Sequence, residues 1–139
     1  QDIVVESLSQ MGLDALMHRD VNSLSGGERR RVELAATVAQ NAQTILLDEP
    51  VNHLDLHYQI NLLQGALTKW RAEGRAVVMV MHDLNLAIRF SDHLLCLCGD
   101  GSILQGETSA VATTENLSTL LRYPLQALTL GDRSFFIPA

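Results

Sequence analysis

The chain has very little lysine, few aromatic residues and no excess of positive charge. Lys69 is the only lysine, and aromatic residues make up 4% of the 139 positions. Ten basic residues stand against sixteen acidic residues, which gives a formal charge of −6. Proteins that bind nucleic acids usually present a basic face to the phosphates. The charge balance therefore argues against a nucleic-acid partner.

Long apolar stretches are also missing. The longest uninterrupted apolar run, residues 76–81, has six residues, whereas a helix needs roughly 20 apolar residues to cross a bilayer. We therefore expect no transmembrane segment. The chain starts with Gln1 and Asp2 and lacks the pattern of a signal peptide, so we expect no export. The absence of an initiator Met suggests a fragment or a processed chain.

Cysteine is scarce, with Cys96 and Cys98 in one apolar stretch. In a strand this spacing places both side chains on the same face. Because free cysteines are often buried, we interpret both as small core residues in a reducing compartment.

Periodicity and cap residues predict five helices and a short helical turn. Ser25 stands three residues before Glu28, the spacing of a capping box, and predicts a helix that extends to about residue 39. Its predicted inner stripe consists of Val32, Ala35, Ala36 and Ala39. The other predicted helical segments cover residues 2–11 with a stop at Gly12, 13–17, 56–72, 84–90, and 114–123 with Thr114 as a cap.

Short apolar runs predict buried strands at residues 44–47, 76–81 and 93–98. A turn at residues 99–101 leads to a strand at 103–104, and a closing hairpin joins residues 125–130 to 134–137 around Gly131 and Asp132. Helices and strands alternate up to residue 98. The order therefore predicts an α/β fold with a largely parallel sheet and a small β-rich tail.

Polar side chains follow the first two predicted strands. Asp48 and Glu49 end the first strand, and His82 follows the second. In open α/β sheets, ligands bind outside the carboxyl ends of the strands. One carboxylate could hold Mg²⁺ while its neighbour orients or deprotonates a water, and a histidine could donate a hydrogen bond to a phosphoryl group. An acid pair alone is more often a solvated loop.

Residues 24–28 read Leu-Ser-Gly-Gly-Glu at the start of a predicted helix. Gly26 and Gly27 would let a ligand approach the exposed amides, and the helix dipole favours an anion there. The hydroxyl of Ser25 adds a donor. Taken alone, the five residues could equally be a capped helix start with flexible glycines.

Four motifs in chain order resemble those of the ATP-binding cassette (ABC) ATPase family. They are Leu-Ser-Gly-Gly-Glu followed by Arg31, Ile-Leu-Leu-Asp-Glu-Pro at residues 45–50, Asn-His-Leu-Asp at 52–55 and Met-His-Asp at 81–83. The resemblance covers nearly the whole chain, and the joint order and spacing make it specific. Glu28 and Val51 depart mildly from the Gln and Thr that are frequent in the family.

The resemblance implies a role for each motif. Residues 24–28 correspond to the signature motif, 45–48 to the Walker B strand and 52–55 to the D-loop. Glu49 then corresponds to the catalytic carboxylate and His82 to the switch histidine, with ATP and Mg²⁺ as cofactors and Asp48 as the metal ligand. The residues implied to bind ATP are Ser25, Gly26, Gly27, Glu28 and Asp55. Of these, Ser25 and Gly27 are implied to face the ATP of a second subunit in a head-to-tail dimer.

The family's phosphate loop, G-x-x-x-x-G-K-[ST], does not occur in the chain. Lys69 lies between Thr68 and Trp70 inside a predicted helix. The resemblance therefore implies an incomplete P-loop NTPase-like three-layer parallel sheet without the strand that precedes this loop, between residues 76–81 and 93–98. It implies the end of a helical subdomain at 1–24 and, at 25–106, the signature helix with the Walker B, D-loop and H-loop part of the ATPase core. A carboxyl-terminal tail follows at 107–139. We expect this chain alone to be inactive.

The segment after His82, with Gly101, Gly106 and residues 114–117, is similar to import ATPases for metal chelates such as siderophores, haem and cobalamin. That similarity implies two permease subunits, an indirect link to a substrate-binding protein and a peripheral place on the cytoplasmic face of the plasma membrane. Two alternatives are a fragment of a soluble ABC ATPase in DNA repair or translation, and an inactive structural fragment. The former usually carry coiled-coil or basic insertions, which this sequence lacks.

Two further clusters have simpler explanations. His53, Asp55 and His57 have the residue types of a metal site, but the D-loop match argues against a dedicated one. The basic run 29–31 is interpreted as the solvated, hinge-facing side of the signature helix, with Arg29 placed to pair with Glu33.

Overall fold

The computed structural model describes residues 2–52, 54–131 and 133–139. These residues form two compact units, Gln1–Val80 and Met81–Ala139. His53 and Asp132, which belong to a predicted motif and a predicted turn, lie outside the described residues. No described helix combines the length and the apolar character that a membrane crossing requires.

The first unit combines helices with one parallel pair of strands. Its elements are α1 (Asp2–Gln10), 3-10 turns at Asp14–Leu16 and Val21–Ser23, α2 (Gly26–Ala39), β1 (Thr44–Asp48), α3 (Leu56–Ile60), a π-helical segment (Asn61–Ala66), α4 (Leu67–Ala72) and β2 (Ala76–Val80). In the parallel ladder Thr44 lies opposite Ala76 and Asp48 opposite Val80. The carboxyl ends of β1 and β2 therefore meet at one edge.

The core of the first unit differs from the predicted stripe of α2. The buried residues of α2 are Arg31, Leu34, Ala35 and Val38. Of the four predicted positions only Ala35 is buried, so the prediction is wrong for Val32, Ala36 and Ala39. The observed spacing is that of a helical stripe. A stripe headed by arginine is not recognised when only apolar residues are counted.

The second unit contains two antiparallel hairpins and short helices. Its elements are α5 (Leu84–Phe90), β3 (His93–Leu97), β4 (Ile103–Glu107), α6 (Thr108–Val111), α7 (Thr114–Leu121), β5 (Leu125–Leu130) and β6 (Arg133–Pro138). β3 pairs with β4 and β5 with β6. Leu117, Leu125 and Phe136 form a buried cluster. The side chain of Asn85 donates to the Phe136 carbonyl at 3.0 Å and accepts from its N–H at 2.9 Å, which joins α5 to β6.

Most predicted elements are confirmed, with local corrections. The helix predicted at 56–72 contains a π-helical segment, and the turn predicted at 13–17 is a shorter 3-10 turn. The cap of α7 is Thr113 rather than Thr114, because the Thr113 hydroxyl accepts the N–H of Asn116 at 3.2 Å. The thiols predicted to be buried are free but only half-buried. Partial burial raises the pKa of the Cys96 thiol, and the electrostatic interaction with Cys98 raises that pKa further.

Candidate functional site

The start of α2 has the predicted capping box. Ser25 N donates to Glu28 Oε2 at 2.8 Å, and Glu28 N donates to the Ser25 hydroxyl at 3.3 Å. These bonds satisfy two backbone donors of the first turn. A Cβ added at Gly26 would meet no atom within 4 Å. The first turn therefore stays open to a ligand on the side of Gly26.

The charge of Glu28 is favoured by this cap. The hydrogen bond from the backbone of Ser25 is the main cause of a lowered pKa for Glu28, and contact with the Ser25 hydroxyl and the charges of Arg19 and Arg31 lower that pKa further. Glu28 therefore brings negative charge to the positive end of the helix dipole.

The lowered pKa of Glu28 predicts a loss of stability in acid. Because the pKa is lower in the folded chain, ionised Glu28 stabilises the fold above the usual value of 4.5, and that contribution disappears as the pH falls below it. We expect the wild type to unfold at a higher temperature than Glu28→Gln at pH 7, and both to unfold together near pH 3. Thermal unfolding followed by circular dichroism measures both. A difference that stays constant down to pH 3 would contradict the prediction.

The end of β1 holds Glu49 in an unusual backbone conformation. Glu49 has a φ of +46°, in the left-handed region that non-glycine residues rarely adopt. Its N–H donates to the Val80 carbonyl at 3.0 Å, which extends the ladder with β2 by one bond. The Asn52 amide donates to Oε2 of Glu49, and Asn52 N donates to the Glu49 carbonyl at 3.1 Å. The backbone and the carboxylate of Glu49 are thus both fixed.

Arg30 connects α2 to the end of β1. Its Nη1 donates to Glu33 Oε2 at 3.0 Å, and its Nη2 donates to the Asp48 carbonyl and, at 3.1 Å, to the Glu49 carbonyl. Among the described residues the ion-pair partner of Glu33 is Arg30, so the predicted pairing with Arg29 is wrong.

Arg31 is buried, which corrects the prediction of a solvated basic run. It is 7% exposed. Its Nη1 donates to the carbonyls of Met11 at 2.9 Å and Gly12 at 3.0 Å, and its guanidinium lies 3.8 Å from the centroid of the Tyr58 ring. Gly12 adopts a φ of +63°, and a Cβ there would come within 3.4 Å of Nη1. Arg31 therefore joins α2 to the end of α1 and to α3.

The predicted D-loop residues cap a helix. The Asp55 carboxylate accepts the N–H of Tyr58 at 3.1 Å at the start of α3. Asn61 Nδ2 lies 3.0 Å from Nε2 of His57. In the described part of the chain no group of three or more His, Cys, Asp and Glu side chains is placed to hold a metal. His53 itself lies outside that part.

His82 belongs to the second unit, just after β2, and its side chain is exposed. The next residue, Asp83, caps α5 by accepting the N–H of Leu86 at 2.9 Å. The joint action of His82 and Glu49 in one site stays a prediction.

The first unit brings Asp48, Glu49, Asn52 and Arg30 together at the carboxyl end of β1. The carboxylate of Asp48, at an exposed strand end, is of the donor type that Mg²⁺ prefers. The same helix that begins at the capping box carries Arg30. The hydrogen bonds of Arg30 therefore connect α2 to the backbone of Asp48 and Glu49.

Comparison with known proteins identifies relatives over nearly the whole chain. Residues 1–52 match the model of a family described as ABC transporter. The chain is 37% identical, over 136 residues and 98% of its length, to the achromobactin transport ATP-binding protein CbrD of Dickeya dadantii. It is 36% identical, over 93% of its length, to the petrobactin import ATP-binding protein FpuD of Bacillus anthracis. It spans 50% of the former and 47% of the latter, about half of each relative.

A solved structure extends the similarity to the fold. A metal-chelate type ABC transporter in an inward-facing conformation superposes with a TM-score of 0.85 at 30% identity, over 99% of this chain and 56% of that chain. These matches confirm the resemblance drawn from the four motifs. They also confirm the fold class, an incomplete α/β sheet of the P-loop NTPase kind.

Proposed function

The chain belongs to the family of ABC transporter ATPases, and from this membership we propose that it is the part of an import ATPase that senses and hydrolyses ATP. The observation that carries the proposal is the fixed carboxylate of Glu49 directly after the Asp48 strand end, held by Asn52. A carboxylate kept in one orientation beside a metal ligand suits the activation of an attacking water.

Each predicted site residue has a role in this proposal. Glu49 accepts the proton of the attacking water, and His82 donates a hydrogen bond to the phosphoryl group that is transferred. The carboxylate of Asp48 would hold Mg²⁺, which would supply positive charge to neutralise the phosphate oxygens. The proposed ATP-binding residues are Ser25, Gly26, Gly27, Glu28 and Asp55. Of these, Ser25 and Gly27 face the nucleotide of a second ATPase subunit in a head-to-tail dimer.

The substrate class is proposed from the relatives. Those reported above are named for the transport or import of achromobactin and petrobactin, and the solved structure is of the metal-chelate type. We infer that the intact protein energises uptake of an iron-siderophore, haem or cobalamin-type substrate. It would bind two permease subunits at the cytoplasmic face of the plasma membrane and act indirectly with a substrate-binding protein, with no nucleic-acid partner.

We propose that this chain is inactive on its own. Lys69 lies in α4, and its Nζ pairs with Glu6 Oε1 at 2.5 Å. This lysine therefore serves an ion pair between α4 and α1, and the sequence has no other to reach the phosphates of ATP.

Calorimetry tests that proposal. The isolated chain, first verified as folded by circular dichroism, is titrated with ATP and Mg²⁺, and we expect no micromolar binding. The matched experiment uses the intact subunit, in which a phosphate loop would accompany this chain and for which we expect binding and turnover. Micromolar binding by the isolated chain would refute its proposed inactivity. An intact subunit that binds ATP without hydrolysing it would refute the proposed ATPase.

A further inference from the structure

The guanidinium of Arg30 donates hydrogen bonds to three acceptors, one carboxylate and two backbone carbonyls. One nitrogen donates to the carboxylate of Glu33 within α2, and the other donates to two successive carbonyls at the end of β1. The side chain retains 27% exposure. Contacts between a charged donor and neutral carbonyls in a half-buried place are stronger than those on the open surface. The contacts of Arg30 are therefore specific and directed at β1.

The two carbonyls belong to Asp48 and Glu49, where the chain leaves the strand. Glu49 takes the left-handed conformation, which is sterically unfavourable for a residue with a side chain. Such a conformation persists only when its surroundings fix it. Arg30 fixes the carbonyl on each side of the Glu49 Cα, whereas Asn52 holds the carboxylate.

We propose that Arg30 is a positioning residue for the Glu49 carboxylate and that it links the helix that begins with the signature motif to the candidate base of the same chain. The inference rests on the proposed role of Glu49. It deepens that role by naming what sets the direction of the carboxylate. Arg30 itself touches no reacting atom in this proposal.

The link gives the start of α2 a way to influence hydrolysis. Arg30 lies four residues after Gly26, so it follows the first turn of the same rigid helix. A ligand bound at Ser25 and Gly26 that shifts this helix also shifts the two carbonyls that Arg30 holds. The nucleotide of one subunit would then adjust the base that acts on the nucleotide of the other.

The chemistry favours arginine for this task. The guanidinium presents donors in a fixed planar fork, so one group can serve Glu33 on one side and two carbonyls on the other. A lysine supplies one nitrogen and can keep only part of this geometry. Glutamine supplies a single shorter amide. We therefore expect the rate of hydrolysis to be highest with arginine at position 30, lower with lysine and lowest with glutamine.

The test measures steady-state ATP hydrolysis by the intact subunit assembled with its permease. We expect Arg30→Gln to lower kcat about tenfold to 100-fold, because displacing a catalytic base by about an ångström can lower the rate by that factor. The KM for ATP should stay within about twofold of the wild-type value. Arg30→Lys should recover part of the loss. Arg29→Gln removes the same charge from the neighbouring position and should keep the wild-type rate.

A double variant identifies the route of the effect. If Arg30 acts through Glu49, Arg30→Gln combined with Glu49→Gln should show the single-turnover rate of Glu49→Gln alone. Three outcomes would refute the positioning role and leave the proposed base standing. They are a further loss of rate in the double variant, an equal loss in Arg29→Gln, and a normal rate in Arg30→Gln while Glu49→Gln is inactive. Full turnover in Glu49→Gln would refute the proposed base, and the positioning role with it.

Discussion

Replacing Glu49 by Gln is expected to lower ATP turnover by the intact subunit about 100-fold or more, because general bases contribute about 10² to 10⁴ in rate. Glutamine keeps the size of the side chain, and its carbonyl oxygen can still accept the Asn52 amide that now binds Oε2. The substitution therefore removes the proton acceptor and preserves the shape of the site. ATP binding should stay at the wild-type level.

Two measurements separate the loss of hydrolysis from any change in ATP binding. Single-turnover hydrolysis reports the chemical step, and calorimetry with ATP and Mg²⁺ reports binding. Glu115→Gln, which neutralises an exposed acid in α7, is the matched control and should hydrolyse at the wild-type rate. A Glu49→Gln subunit that retains a tenth or more of the wild-type rate would exclude Glu49 as the base.

Replacing Trp70 by Ala is expected to lower the free energy of unfolding by about 3–5 kcal/mol. Trp70 is 1% exposed and is among the largest fully buried side chains of the chain. Truncation loses its apolar contacts and leaves a cavity between α4 and its surroundings that rigid neighbours refill only in part. The substitution should destabilise the first unit, to which α4 belongs.

Trp70→Phe provides the control for this prediction. The indole N–H of Trp70 is buried and has no hydrogen-bond partner among the described residues. Phenylalanine removes this unsatisfied donor and keeps most of the ring volume, so it should destabilise much less than alanine. Urea unfolding is followed by far-ultraviolet circular dichroism, because both variants lack the only tryptophan of the chain. Equal losses in the two variants would contradict a cavity effect.

Local sequence signals predicted the elements that position the site. The capping box of Ser25 and Glu28 and the apolar runs that became β1 and β2 depend on residues close in sequence, so spacing alone reveals them. The glycine stop at Gly12 is of the same kind. Such signals need no knowledge of the rest of the fold.

The contacts of the arginines could not be predicted in this way. Arg30 reaches carbonyls 18 and 19 residues away, and Arg31 reaches carbonyls 20 and 19 residues away. An arginine beside two others suggests a solvated surface, because burial of a charge requires partners that only the tertiary fold supplies. The spacing of Leu34, Ala35 and Val38 after Arg31 was the signal that could have revealed its burial.

The candidate site was predicted in part. The acids at the end of β1 followed from the rule for strand ends, whereas the hydrogen bond from Asn52 to Glu49 depends on the left-handed backbone of Glu49. The turn-forming residues Pro50 and Asn52 after Glu49 were the sequence signal for this contact. The site residues that act together on nucleotide remain proposals.

The left-handed backbone of Glu49 has a consequence for protein engineering. Glycine adopts a φ of +46° without the steric penalty that any other residue meets, so glycine at this position should raise the melting temperature. The same exchange deletes the carboxylate. A screen that rewards heat resistance alone would therefore select variants that lack the proposed base, so the codon for position 49 should be held constant while the rest of the gene is varied.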